Sequence, residues 1–154
     1  MAIKLIVVGK TKESFYCESE NEYLKRLKKY CKLSYITLTS SKNTTNKNAS
    51  LEQEEKGILR HISSSDYLIL LDEKGKSFSS RKFAENLNHL LINQANIVFV
   101  IGGAFGFSKA VRAKAKSTIQ LSSLTFPHHL VRTIFLEQLY RAFTILNGEL
   151  YHND

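Results

Sequence analysis

Residues 99–108 read FVIGGAFGFS, in which apolar β-formers run straight into two adjacent glycines, then a third glycine and a serine. The apolar part reaches back to Asn96, and NIVFVI (96–101) predicts a strand buried on both faces. Glycine is needed where φ is positive or where another group comes close to the main chain. A glycine cluster just past a buried strand therefore marks backbone that something approaches.

Working outward, IKLIVVG (3–9), LSYITL (33–38), YLILL (67–71) and a short segment near STIQL (117–121) predict four more strands. Between them lie helical patterns. Residues 17–31 space Tyr23, Leu24, Leu27 and Tyr30 helically, and LEQEEKGILRHI (51–62) runs from acidic to basic, as a helix dipole favours. Ser79 or Ser80 is placed to cap a helix through about Leu91, and Ser108 to cap KAVRAKAK. SSKNTTNKNAS (40–50) reads as a polar loop, and DEKGKS (72–77) as a charged turn. The one proline, Pro127, suits the first turn of the longest helix, 129–148, which Asn147-Gly148 ends.

Strands alternating with helices predict a single α/β domain over residues 1–154, with a mostly parallel sheet flanked by helices. Ligands of such sheets bind beyond the carboxyl ends of strands. Three strand ends carry unusual residues: LLDEKGK (70–76), IGGAFG (101–106) and QLSSLTFPHH (120–129).

Two nucleotide motifs are excluded. A P-loop needs Lys-Ser or Lys-Thr after its last glycine, and here Phe107-Ser108 follows Gly106. A dinucleotide fingerprint needs G-x-G-x-x-G near the first strand and an acidic residue about 20 positions on; the turn is G-G-x-x-G and Ser122 stands there.

The chain of 154 residues holds 22 Lys+Arg against 14 Asp+Glu, a net +8 that favours nucleic acid or another anionic partner. Lys109, Arg112, Lys114, Lys116 and the basic helix 24–32 are candidates for phosphate contact. Cys17 and Cys31 lack zinc-ligand spacing, and two isolated thiols fit a reducing cytosol, so no metal is expected. The opening apolar run is too short for a membrane span, so no membrane association and a cytoplasmic location are expected.

LDEKGKSFSSRKFAENL, FVIGGAFGFS, LSSLTFPHHLVRTIFLEQLYRA and the ending GELYHND closely resemble the bacterial RlmH family of ribosomal large-subunit methyltransferases, within the SPOUT superfamily, over essentially the whole chain. The resemblance implies a homodimer whose C-terminal half forms a deep trefoil knot, a topology that the general prior against knots opposes. It implies S-adenosyl-L-methionine as methyl donor, held by Leu71, Gly102, Leu121, Ser122, Ser123, Leu124, Thr125 and Phe126. It also implies methylation of N3 of a pseudouridine in 23S rRNA on the assembled ribosome, with His128, Arg141, Tyr151 and His152 on the RNA side. No role transfers to His129, and the Asn153-Asp154 ending places an acid where a base would suit RNA better.

The residues themselves leave plainer readings open: Arg141 at the spacing to pair with Glu137, and a tail without a role. A non-catalytic RNA- or ribosome-binding protein of the same fold, or a methyltransferase for another RNA, are the alternatives.

Overall fold

A computed structural model describes residues 2–40 and 45–153; residues 41–44 of the polar loop, and Asp154 of the ending, lie outside the described residues. The elements run Ala2–Val8 (β1), Ser14–Leu27 (α1), Leu33–Leu38 (β2), Lys47–Arg60 (α2), Tyr67–Ser77 (β3), Ser80–Asn93 (α3), Asn96–Ile101 (β4), Lys109–Lys114 (α4), Ser117–Gln120 (β5) and His128–Leu146 (α5). The strands form one sheet in the order β2-β1-β4-β3-β5, and every pairing is parallel.

Because side chains alternate across a strand, each central strand feeds two cores. Ile3, Leu5, Val7, Ile97, Phe99 and Ile101 join Leu27 of α1, Leu87 of α3 and Phe135 and Leu139 of α5. Ile6, Val8, Leu68, Leu70, Val98 and Val100 face the other way, onto Ile58 of α2 and Val111 of α4. Both faces being covered is why the central strands read as unbroken apolar runs. Phe99 and Phe135 pack with ring centroids 4.8 Å apart, at the centre of the first core.

Serine caps behave as their chemistry requires. Ser79 Oγ accepts from Lys82 N (3.2 Å) and Ser108 Oγ from Val111 N (3.2 Å), each satisfying a helix-end donor. Asn46 does the same for Ala49, so α2 begins inside the stretch expected to be loop. Three further expectations are corrected. Residues 72–77 are not a turn, because β3 continues through them to Ser77 and pairs with β5 across an irregularity between Leu71 and Lys76. At Gly75 a Cβ would lie 2.5 Å from the Ile119 carbonyl carbon, so β5 backbone packs directly on that glycine. Pro127 is the N-cap of α5, with φ −54° and ψ 136°, and so stands outside the first helical turn expected for it. The α1 helix stops at Leu27, ahead of Tyr30 and Cys31.

The long helix α5 packs against α1 and α3 as well as the sheet. Phe135, Leu136, Leu139, Ala142 and Phe143 are thereby buried within one chain. Its apolar circumference is met largely from inside the protomer, not by one small sheet alone.

A buried polar network fixes α5 to the start of the chain. Arg132, 1% exposed, donates through Nη1 to Thr11 Oγ1 (2.8 Å) and through Nη2 to the Val8 carbonyl. Thr11 Oγ1 donates to Glu20 Oε1 (2.8 Å), and Tyr35 Oη donates to Glu20 Oε2 (3.0 Å). A buried cation and a buried carboxylate joined through hydroxyls keep each other tolerable in the core.

Candidate active site

The loops after β3, β4 and β5 converge on an open cleft of about 410 Å³, within the usual size of a small-molecule site. Leu71, Gly102, Leu121, Ser122, Leu124, Thr125 and Phe126 line it, as does His128 at the start of α5. Ser123, which the sequence grouped with them, is exposed and is not in its wall. Leu71, Leu121 and Val131 give apolar surface, and Leu124 stands 69% exposed at the rim. Ser122 Oγ accepts from Leu124 N (2.9 Å), which holds the small-residue loop in a tight turn.

The glycines act for different reasons. Gly106 has φ +74°, and only it among the three of this turn needs left-handed backbone. A Cβ on Gly102 would lie 3.0 Å from the Gly106 carbonyl oxygen and 3.1 Å from the Phe107 ring, so the turn folds onto its own strand end. A Cβ on Gly103 would meet Glu54 Oε1 at 2.7 Å. Close approach is the explanation at both, and the approaching groups in the protein itself are Phe107 and Glu54.

Two charged contacts went unread in the sequence. Arg112 Nη2 lies 2.8 Å from Asp72 Oδ2, and both residues line the cleft, so Arg112 is held by a carboxylate and is not an uncommitted phosphate contact. Glu54 is 7% exposed, and its Oε2 has no hydrogen-bond partner among the described residues. Burial pushes the Glu54 carboxyl above its ordinary range, opposed by a hydrogen bond from the Gly103 backbone. Partners this distant along the chain leave no local signature.

On the far side of the glycine turn lies a second cleft, at the carboxyl ends of β1, β2 and β4. Gly103, Ala104, Phe105 and His128 line both. Burial first, and then the neighbouring His129 and Arg132, lowers the His128 pKa, which favours the neutral imidazole. His129 faces Glu13, with 3.1 Å between Nδ1 and Oε2.

Arg141, Tyr151 and His152 come together, but elsewhere. Arg141 donates through Nε to Glu137 Oε1 (3.0 Å) and through Nη1 to His152 Nδ1 (3.2 Å). Tyr151 Oη donates to Glu137 Oε1 (3.1 Å), and the Arg141 guanidinium sits 4.8 Å from the Tyr151 ring centroid. Burial, with Tyr23 and Glu137 beside it, raises the Tyr151 phenol further from ionisation. Arg141 stands thirteen positions after His128 on α5, about 20 Å along the axis. Within one chain, His128 is at the cleft and the other three are not.

Known proteins resemble the chain over nearly its whole length. A family model described as "Predicted SPOUT methyltransferase" matches residues 1–152. The chain is similar to the ribosomal RNA large subunit methyltransferase H of Parabacteroides distasonis, 43% identical over the whole of both chains. The proteins of the same name from Clostridium botulinum and Clostridium acetobutylicum are 44% and 45% identical over 99% of both chains. Among solved structures, a "probable methylase family protein" from Haemophilus influenzae matches with a TM-score of 0.55 at 13% identity, covering 99% of this chain and 70% of that one, a likeness of fold alone. No described helix is long and apolar enough to cross a membrane, and no group of three or more His, Cys, Asp or Glu able to hold a metal gathers among the described residues. With the family match spanning both clefts and the α5 cluster, the chain belongs to the SPOUT methyltransferases.

Proposed function

We propose that this protein transfers a methyl group from S-adenosyl-L-methionine to N3 of a pseudouridine in the 23S rRNA of the assembled ribosome, as a cytoplasmic homodimer. The observation that carries this reading is the cleft at the ends of β3, β4 and β5 in a chain whose named relatives are large-subunit rRNA methyltransferases. The residues fit the donor. Leu71, Leu121 and Leu124 can enclose a purine, and the Gly102 turn and the Ser122 loop offer main-chain groups to its edges. Bound there, the donor supplies an electrophilic methyl carbon that needs no metal or acid.

The acceptor nitrogen does need help, since N3 carries a proton at neutral pH. As the N–C bond forms and the C–S bond breaks, that proton must leave. His128, at the cleft and with burial favouring its neutral form, is placed to accept it. Arg141 supplies positive charge that favours the deprotonated base.

The separation of about 20 Å along α5 puts Arg141 out of reach of its own cleft, so a second copy must bring it. Exposed apolar side chains support pairing through the α1/α5 face: Phe15 and Leu124 near the start of α5, Leu146 and Leu150 at its end. Two-fold symmetry would then complete two sites at once.

Mass mapping of modified nucleosides in 23S rRNA tests the reading. A strain lacking the protein is expected to lose one methylated pseudouridine, and purified protein with S-adenosylmethionine to restore it on ribosomes from that strain. An unchanged modification map refutes it. Light scattering at micromolar protein is expected to give twice the chain mass; the monomer mass would refute the shared site.

A further inference from the structure

The second cleft has a composition that the donor does not explain. Its mouth carries Lys10 and Lys12, both exposed and neither ion-paired among the described residues. The one acid beside them, Glu13, is engaged by His129. Thr37, Thr39 and Ser40 add hydroxyls along one side, and Phe105 and His128 add flat rings on the side shared with the donor cleft. Glu54 lines the inner end, with Oε1 and Oε2 packed on Gly103. A carboxylate oxygen buried without a donor is costly, and a protein retains one where something else supplies the hydrogen. Gly103 leaves room on that side, where a Cβ would lie 3.1 Å from Oε2.

Cations at the mouth, flat rings along one wall and an acceptor at the depth suit a nucleotide entering base first. Resting on the pseudouridine reading above, we infer that this cleft receives the target nucleotide in the same chain whose other cleft holds the methyl donor. The phosphate lies at Lys10 and Lys12, and Glu54 Oε2 accepts the base N1–H. That hydrogen separates the two uracil nucleosides. In uridine N1 bears the sugar, whereas in pseudouridine the sugar is on carbon and N1 keeps its hydrogen. With N1–H held by Glu54, N3 is left for His128 and the methyl group, across the glycine turn that both clefts share. Glu54 is thus a specificity residue: its orphan acceptor is satisfied by pseudouridine and left unpaired by uridine, the arrangement that discriminates most sharply between near-isosteres.

The test uses the full-length protein saturated with S-adenosylhomocysteine, titrated with pseudouridine 5′-monophosphate and with uridine 5′-monophosphate. Backbone amide signals of Lys10, Gly103 and Ala104 are followed by NMR. Pseudouridine monophosphate is expected to shift these signals and to bind about tenfold more tightly than uridine monophosphate, the scale of one buried acceptor satisfied or left unpaired. Glu54→Gln keeps the shape but presents a donor, and should erase the preference while leaving S-adenosylhomocysteine affinity unchanged. Lys10→Ala with Lys12→Ala should weaken both nucleotides severalfold and leave the preference intact. A preference that survives Glu54→Gln overturns the inference, as do silent amides at this cleft or displacement of S-adenosylhomocysteine by the nucleotide. Should Glu54→Gln fail to fold, the lysine pair decides, and unchanged nucleotide affinity there overturns it equally. Failure to bind S-adenosylhomocysteine at all would count against the methyl-transfer reading, and is seen before any nucleotide is added.

Discussion

Arg141 and Glu137, one turn apart on α5, form a bidentate-like pair on a single carboxylate oxygen, and Tyr151 from the tail donates to that same oxygen. The pair that helical spacing alone suggested is therefore real, and it is also what docks the C-terminal tail. Pairing does not remove Arg141 from RNA chemistry. It fixes the guanidinium against the Tyr151 ring and leaves the side chain about a quarter exposed.

Changing Arg141 or His152 to Ala is expected to slow single-turnover methylation of unmodified ribosomes by roughly 10²-fold, the scale of one electrostatic or acid–base group. Affinity for S-adenosylmethionine should hardly change, since both residues are proposed to act on the target base and not on the methyl donor. Tyr151→Phe keeps the ring beside Arg141 and loses the hydroxyl's bonds to Glu137 and Tyr23, so it should cost less. Parent-like rates for Arg141→Ala would remove it from the active site.

At Gly102 the crowding by Gly106 and Phe107 alters a simple expectation, that Val there blocks the donor and spares the fold. Gly102→Ala should cost about 1–3 kcal/mol by overpacking, and Gly102→Val more. Urea unfolding beside calorimetry with S-adenosylmethionine separates the two effects. An unchanged unfolding midpoint for the Val variant would mean that the turn accommodates a side chain and that only the ligand is excluded.

Arg132 is a stability element. Arg132→Ala removes the donor to Thr11 and the Val8 carbonyl and leaves Glu20 buried without its cation. A loss of about 3–5 kcal/mol in denaturant unfolding is expected, as when one side of a buried charged network is deleted. Lys, lacking the planar fork, should rescue only part of it. A loss under about 1 kcal/mol would contradict the network's importance.

Glu54 gives stability a pH dependence of known sign. Its carboxyl is raised in the folded protein, so the folded state binds that proton more tightly than the unfolded chain does. The contribution is complete below the unfolded value near 4.5 and is lost as pH rises through the folded one. Glu54→Gln should therefore gain stability relative to the parent between pH 4 and pH 7, measured as the difference in unfolding free energy. A difference independent of pH would show that Glu54 ionises in the fold as freely as in water. Greater stability with poorer nucleotide selection is the usual trade at a functional position.

Sequence reading reached furthest where signals are local. Both-face burial made β1, β4 and the start of β3 legible, and serine at the head of an apolar-periodic run pointed to Ser108 and to Ser79 or Ser80, of which Ser79 is the cap. Residues 72–77 were misread because charge and Gly75 argue against a strand, and only the edge strand β5 explains why a glycine must be there. The cleft at the ends of β3, β4 and β5 was legible because three strand ends carry it. Glu54, Asp72 and Arg132 were not, since each gains its meaning from a partner tens of residues away. That His128 and Arg141 stand apart follows from a helix rise the sequence already contained, once both are seen to lie on one unbroken helix.

The strand order has a bearing on when activity can begin. β3 is flanked in the sheet by β4 and β5, both made after it, and the donor cleft needs the ends of all three plus the start of α5. During synthesis the chain emerges from its amino end, so Lys10 and Lys12 are made long before Gly103, Phe105 and His128 complete the second cleft and Leu121–Phe126 close the first. A nascent chain thus carries the two lysines with neither cleft built. On the proposed reading, donor binding waits until β5 has added itself to the edge of β3, and ligand binding becomes a report that the last strand has docked.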